Sequence, residues 1–237
     1  MEPILTRLRN HQAQKARKPE MEIIYRELFL RELERCSVPD TFYPVGGAAN
    51  HSLLYFLARL LQEFEFRQIL ELGAGQSSIL IDQIKQRIGA SYDALTIEHD
   101  AAWSERIGAQ VHHQVLRVEL CERSVLGHKI HYYEVGKEII PAPVDLLLID
   151  GPPAEGDGLR YSRLGILDFL EAALGPDPRD FVIVVDDCDR CGEKLLARKL
   201  QESFWSNNVA IGVKTICAAK CQTVIAAGKY ANAIYLA

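Results

Sequence analysis

Apolar runs that close on an acid and a turn recur along this chain. Gln68-Ile-Leu-Glu-Leu72 breaks at Gly73-Ala74-Gly75 and resumes with helical character through Gln76-Ser77-Ser78-Ile-Leu80. Ala94-Leu-Thr-Ile-Glu98, Val144-Asp-Leu-Leu-Leu-Ile-Asp150 and Phe181-Val-Ile-Val-Val-Asp186-Asp187 repeat the pattern. Near-continuous apolar strands belong to parallel sheets buried on both faces, and acids at their C-terminal ends fall along one edge, where such sheets take ligands. A weaker run, Val111 to Val118, predicts another strand in the sheet. Apolar residues at helical spacing predict helices over Glu20–Cys36, His51–Leu61 with Asn50 as cap, Ala101–Ala109, Tyr161–Leu174 and Glu193–Phe204. The closing segment, Thr223–Leu236, reads as two strand-like runs around Gly228.

The break at Gly73-Ala74-Gly75 carries the first chemistry. Without Cβ atoms its backbone takes positive φ and lies against a bulky ligand, while the helix that opens at Gln76 presents unpaired N–H groups. Glu71 stands near the strand's end, and Gln76, Ser77 and Ser78 supply polar side chains where the helix begins. A nucleotide-like ligand suits this arrangement. A dinucleotide fingerprint would need a third glycine where Ser78 stands, and its ribose acid comes about 20 residues on. Glu98 follows Gly73 by 98 − 73 = 25 residues. Both features weigh against hydride transfer with NAD.

In order and spacing, E-L-G-A-G-Q-S-S from Glu71, I-E-H-D from Ile97, L-L-I-D-G-P-P from Leu147 and V-V-D-D-C-D-R from Val184 resemble the motifs of class I S-adenosylmethionine-dependent methyltransferases. The resemblance runs from about Ala49 to the C-terminus. It implies an α/β fold: a Rossmann-like, doubly wound, seven-stranded sheet with a C-terminal antiparallel hairpin over residues 49–237. Residues 1–48 then form an N-terminal helical extension, a packing helix or a lid. The implied activity is methyl transfer from S-adenosylmethionine to a small or medium-sized acceptor, with oxygen as the methylated atom. By the same resemblance the cofactor contacts fall on Glu71, Gly73, Ala74, Gly75, Gln76, Ser77 and Ser78, with Glu98 on the ribose hydroxyls, His99 beside the adenine and Asp150 facing the reactive centre. The family's usual acid or amide for the adenine amine has no clear counterpart, although His112, His113 and Gln114 lie in that region. An NAD-dependent oxidoreductase and a non-catalytic cofactor-binding protein of the same fold remain as alternatives.

The strand-end acids are the catalytic candidates. Asp150, Asp186, Asp187 and Asp189 gathered at neighbouring strand ends would repel one another unless protonated, hydrogen-bonded or bridged by a cation. Mg²⁺ held by Asp150 and Asp187 would resolve that conflict and lower the pKa of an acceptor hydroxyl. The competing reading has Asp186 or Asp187 capping the next helix or pairing with Arg190. Asp150, Asp187 and His99 are therefore the candidates for catalysis, and Asp150 and Asp187 for metal. Gly46, Gly47 and Asn50, ahead of the first strand, are secondary site candidates. Cys188-x-x-Cys191 and Cys217-x-x-x-Cys221 could be halves of a zinc site, but such pairs usually sit on tight turns rather than beside sheet strands. All six cysteines read as thiols.

Composition narrows the partners. The chain has 237 residues, 48% hydrophobic, enough for one large α/β core. A formal charge of −5 disfavours a nucleic-acid substrate held through phosphates. No apolar stretch predicts a membrane span or a signal peptide, so a cytoplasmic enzyme on a small-molecule substrate is expected. The opening is basic, at Arg7, Arg9, Lys15, Arg17 and Lys18, and the helix after it offers a contact for a homodimer.

Overall fold

The structure is a computed structural model that describes residues 17–44, 48–136, 140, 143–154 and 159–236. Its first half runs α1 (Pro19–Cys36), α2 (His51–Glu63), β1 (Gln68–Leu72), α3 (Gln76–Ile88), β2 (Asp93–Glu98), α4 (Ala101–Gly108), β3 (Gln114–Arg117), β4 (Leu120–Val125) and β5 (His128–Tyr133). The second half runs β6 (Leu146–Ile149), a 3₁₀ helix (Ser162–Asp168), α5 (Leu170–Leu174), β7 (Phe181–Val185), α6 (Cys191–Ser206), β8 (Ile211–Cys217), β9 (Cys221–Ala227) and a second 3₁₀ helix (Gly228–Tyr235).

Seven strands form one sheet in the order β3-β2-β1-β6-β7-β9-β8. β1, β2, β3, β6 and β7 are parallel, and β9 is antiparallel to both β7 and β8. This is the doubly wound sheet with a C-terminal antiparallel hairpin that the sequence motifs imply. Successive strand residues alternate between two apolar layers, as the two-residue period of a strand requires. Ile69, Leu146 and Val182 face α2 through Leu53, Phe56 and Leu60, whereas Leu70, Leu147 and Ile183 face α6 through Leu196 and Leu200. Both faces are dry, which explains why these strands read as continuous apolar runs. On the first face α1 packs against α2 through Phe29 and Leu33.

The winding direction reverses between β1 and β6, and the chain is crowded there. A Cβ on Gly73, whose φ is +95°, would stand 2.9 Å from the backbone of Asp150 and Gly151. Two glycines thus let the ends of adjacent strands nearly touch, at the switch point where open α/β sheets bind ligands.

Several elements depart from the sequence reading. The third strand is confined to Gln114–Arg117. β4 and β5 form a separate antiparallel hairpin where no regular structure was expected. Its turn places Leu126 at φ 50° and Gly127 at φ 77°, a pair with positive φ at both positions but without the Asn-Gly or Asp-Gly signature. Tyr161–Leu174 divides into the 3₁₀ helix and α5. The closing hairpin is β8 with β9, not two runs around Gly228. Gly228 instead packs beside Asp180, where a Cβ would lie 2.0 Å from the carboxylate. Asn50 precedes α2 but makes no cap; its amide donates to Glu22 and Ser52. Cys217 and Cys221 form a disulfide across the β8–β9 turn, so they are neither thiols nor half of a zinc site. Among the described residues no helix is long and apolar enough to cross a membrane. Gly46 and Gly47 lie outside the described residues, as do Arg7, Arg9 and Lys15.

Candidate active site

A cavity of about 700 Å³ opens over the β1–β6 crossing. Its floor is Gly73, Ala74 and Gly75, with Glu98 and His99 at one end and Asp150, Arg163, Asp187 and Arg190 at the other. Gly75 is extended, with φ 180°, a conformation open to any residue, and no described residue lies within 4 Å of where its Cβ would stand. Gln76 and Ser77 also line the cavity. Tyr43 lies over the start of α3, its backbone N–H donating to the Gln76 side-chain Oε1 at 2.9 Å.

Glu71 and Ser78 lie behind the floor rather than in the cavity. Both are buried, and the Ser78 hydroxyl donates to Glu71 Oε2 at 2.5 Å while accepting the Gly75 N–H at 2.9 Å. Thr96 Oγ1 also donates to Glu71 Oε2, at 2.7 Å. Burial outweighs these hydroxyls and pushes the Glu71 carboxyl up to about 7. The pair fixes the glycine turn from below.

Glu98 is held by backbone. Its Oε1 accepts the N–H groups of His99 (2.7 Å) and Asp100 (2.8 Å), and its Oε2 accepts that of Ala74 (3.0 Å). A carboxylate offers roughly four acceptor positions, so one on Oε2 remains for a ligand hydroxyl. Asp100 caps α4 by accepting the Trp103 N–H, and this places the Trp103 indole over the turn, donating to Ala74 O at 2.5 Å. Arg106 lies against that ring at 5.2 Å. His99 Nδ1 lies 2.7 Å from Glu98 Oε1 but is not aligned for a hydrogen bond.

The other end is ionic. Carboxylate oxygens of Asp150, Asp186 and Asp187 lie within 4.8 Å of one another. Three cations compensate them. Arg163 Nη2 meets Asp150 Oδ1 at 3.0 Å and Asp187 Oδ2 at 3.1 Å, Lys220 Nζ meets Asp187 Oδ1 at 3.4 Å and Asp186 Oδ2 at 3.5 Å, and Arg190 meets Asp187 at 3.1 Å. Arg163 also donates to the backbone oxygens of Asp150 and Asp186. Burial and then Asp186 raise the Asp150 carboxyl well above the usual range against the pull of Arg163. Asp187 is opposite: burial raises it, but Arg163, Lys220 and Arg190 hold it below the ordinary value. Asp187 takes φ 58° and its carbonyl accepts the Arg190 N–H, so the pairing with Arg190 is present. Asn50 reaches this cluster through Gln222, whose amide donates to both Asn50 Oδ1 (3.0 Å) and Asp186 Oδ1 (2.7 Å). Asp189 is turned away, onto Arg17 and the Cys221 N–H.

Of the catalytic candidates, Asp150 and Asp187 therefore meet on Arg163, while His99 belongs to the Glu98 end. Trp103, Arg106, Tyr133, Arg163 and Lys220 had no place in the sequence reading. Trp103 carried a usable signal, since the first turn of a helix starting just past a ligand-edge acid overhangs the glycine turn. Arg163 and Lys220 carried none.

No protein-family model matches the chain, and no curated protein does. Among solved structures, the O-methyltransferase from Bacillus cereus in complex with SAH is 16% identical, over 85% of this chain and 91% of that one, with a TM-score of 0.49. Cofactor-bound Rv0187 from MTB is 16% identical over 86% and 89%, with a TM-score of 0.48. The METTL16 MTase domain is 16% identical over 75% and 66%, with a TM-score of 0.45.

Proposed function

We propose that the protein transfers a methyl group from S-adenosylmethionine to an oxygen of a small or medium-sized acceptor. The observation that carries this reading is the cavity over the Gly73–Gly151 crossing, with a backbone-held carboxylate at one end and a carboxyl of raised pKa at the other. The residues fit the cofactor. Gly75 leaves open space at the floor, Glu98 keeps one acceptor position for a ribose hydroxyl, Trp103 and His99 offer ring faces for an adenine, and the volume is in the range of small-molecule sites.

The bound cofactor supplies a sulfonium-activated methyl group. The chain's task is then to hold acceptor oxygen, methyl carbon and sulfur in line, an effect on the order of several kcal/mol of barrier. Asp150 takes the proton of the acceptor hydroxyl at its carboxylate, and its raised pKa makes it the stronger base when ionised. Arg163 fixes that carboxylate and its backbone at once. In this reading Arg163, Lys220 and Arg190 take the charge-compensating role that Mg²⁺ at Asp150 and Asp187 would otherwise fill. Residues 1–48 act as an extension that docks α1 on the 49–237 domain.

The test is calorimetric titration with S-adenosylmethionine, S-adenosylhomocysteine and NAD, on wild type and on Gly75→Val. The two sulfur ligands should bind wild type, NAD should not, and the valine, which projects into the cavity, should abolish binding while the circular dichroism spectrum stays native. Binding of NAD alone, or wild-type affinity in the folded variant, would overturn the reading.

A further inference from the structure

Tyr133 ends β5, the strand of the unanticipated hairpin, and its side chain is fully buried. Its ring meets that of its neighbour Tyr132 edge-on, with centroids 5.3 Å apart, and Tyr132 is itself locked in place. A Cβ on Gly165 would lie 2.1 Å from the Tyr132 ring, and Phe169 stacks on it at 5.8 Å. Packed against this anchored ring, Tyr133 holds its hydroxyl at the sheet's ligand edge. There its hydroxyl reaches the strand crossing: a Cβ on Gly151 would meet the Tyr133 oxygen at 2.3 Å and Gly73 at 2.8 Å.

Among the described residues that hydroxyl has no hydrogen-bond partner. Buried hydroxyls without partners are rare because each costs its full desolvation. Of the orphaned buried polar atoms among the described residues, only the Tyr133 hydroxyl and His99 Nδ1 belong to residues that line the cavity, and His99 Nδ1 is already beside Glu98. Ser162 and Glu193, also orphaned, do not line it. Burial, and then the charge of Glu98, keep the phenol protonated, so it has a hydrogen to donate.

Resting on the methyl-transfer reading, we propose that Tyr133 is a cofactor-contacting residue: its O–H, unpartnered among the described residues, donates to an oxygen or nitrogen of bound S-adenosylmethionine at the middle of the cavity, above the Gly73–Gly151 crossing. The cofactor thereby completes a polar site that the hairpin leaves open. Glu98 holds one end of the ligand and Tyr133 its centre, which directs the reactive end toward Asp150.

Tyr133→Phe separates this role from a structural one. Removing an uncompensated hydroxyl should stabilise the ligand-free protein, raising its Tm by about 2 °C or more, because 1 kcal/mol corresponds to roughly 2–4 °C in a chain of this size. The same variant should bind S-adenosylmethionine and S-adenosylhomocysteine about tenfold more weakly by calorimetry, and gain less Tm than wild type on saturation. A Tm several degrees below wild type would mean that the hydroxyl has an internal partner, and would overturn the inference. So would unchanged affinity for both ligands. If wild type itself binds neither ligand, the methyl-transfer reading fails and this inference falls with it; equal binding by both proteins sinks the inference alone.

Discussion

Carboxylates stand at both ends of the cavity, and the protein satisfies them in opposite ways. Glu98 takes three backbone N–H groups, two of them from the residues that follow it. Asp150 and Asp187 take side-chain cations, delivered from the 3₁₀ helix by Arg163 and from the β8–β9 turn by Lys220. Backbone donors leave the Glu98 carboxylate a lone pair to spare, an arrangement suited to a hydroxyl ligand. Cations neutralise the other end internally, so its geometry depends on the whole fold. One end is a carboxylate held by local structure, the proposed binding group; the other is a tertiary ion network that contains the proposed base.

Breaking the ionic end should give the largest effect. Arg163→Met keeps the length of the side chain but leaves Asp150, Asp187 and Glu193 without their shared cation. Removing one partner of a buried ionic group costs about 3–5 kcal/mol, and a fall in Tm on the order of 10 °C is expected. The sign of its pH dependence follows from Asp187, whose folded pKa is depressed with Arg163 as the first of the lowering charges. That stabilisation exists above the unfolded aspartate value near about 4 and fades as pH falls through the folded one. The deficit of the variant should therefore be largest at neutral pH and narrow in acid. A melting curve matching wild type at pH 7 would show that Lys220 and Arg190 suffice.

The same contrast explains what the sequence reveals. β1, β2, β6 and β7 are legible because a strand buried on both faces is apolar throughout, and Glu98 is legible because its partners are backbone atoms that any sequence has. The glycine turn is legible for the same reason. The β4–β5 hairpin is not, because Leu126 occupies a positive-φ turn position that Asn or Asp usually marks. Tyr133 is hidden with it. Arg163 and Lys220 are invisible in principle: a cation's partner is set by how the 3₁₀ helix and the last hairpin pack, not by its neighbours in the chain. Gly228 misleads, since a close approach to Asp180 needs a glycine as much as a hairpin does.

Glu71 sharpens the comparison with a third mode, a buried carboxyl that takes two hydroxyls on Oε2 while its Oε1 has no partner among the described residues. Its folded pKa, about 7, lies above its ordinary 4.5. The folded state thus holds a proton that the unfolded state loses, and stability should fall as pH rises from 4.5 to 7, then level off. Glu193, also raised to about 7 by burial, and Asp150 and Asp186, raised by burial, contribute with the same sign. Glu71→Gln should remove Glu71's own share of that slope, a difference of up to about 3 kcal/mol at pH 8 in the variant's favour. The glutamine carbonyl still accepts from Ser78 and Thr96. Because Glu71 stands behind the cavity, affinity for S-adenosylmethionine should change less than about threefold, under 1 kcal/mol. An unchanged slope between pH 5 and 7 would mean that Glu71 is ionised in the folded protein, and a large loss of affinity that it contacts the cofactor.

The smallest expected effect is at the backbone-held end. A hydrogen bond from a ribose hydroxyl to the charged Glu98 is worth about 1.5–3 kcal/mol, so Glu98→Gln should weaken cofactor binding roughly tenfold to a hundredfold. The three N–H groups already on this carboxylate leave room for one such hydroxyl, not both. Of the 2′-deoxy and 3′-deoxy forms of S-adenosylhomocysteine, one should therefore bind wild type much more weakly than the parent ligand, and the other almost as well. In the glutamine variant the sensitive analogue should lose little further, since the interaction it lacks is already gone. This coupling isolates the hydroxyl contact from any loosening of the glycine turn, which would weaken all three ligands alike. If both deoxy analogues bind wild type equally poorly, Glu98 releases a backbone N–H to take the second hydroxyl, and the turn at Ala74 moves when the ligand enters.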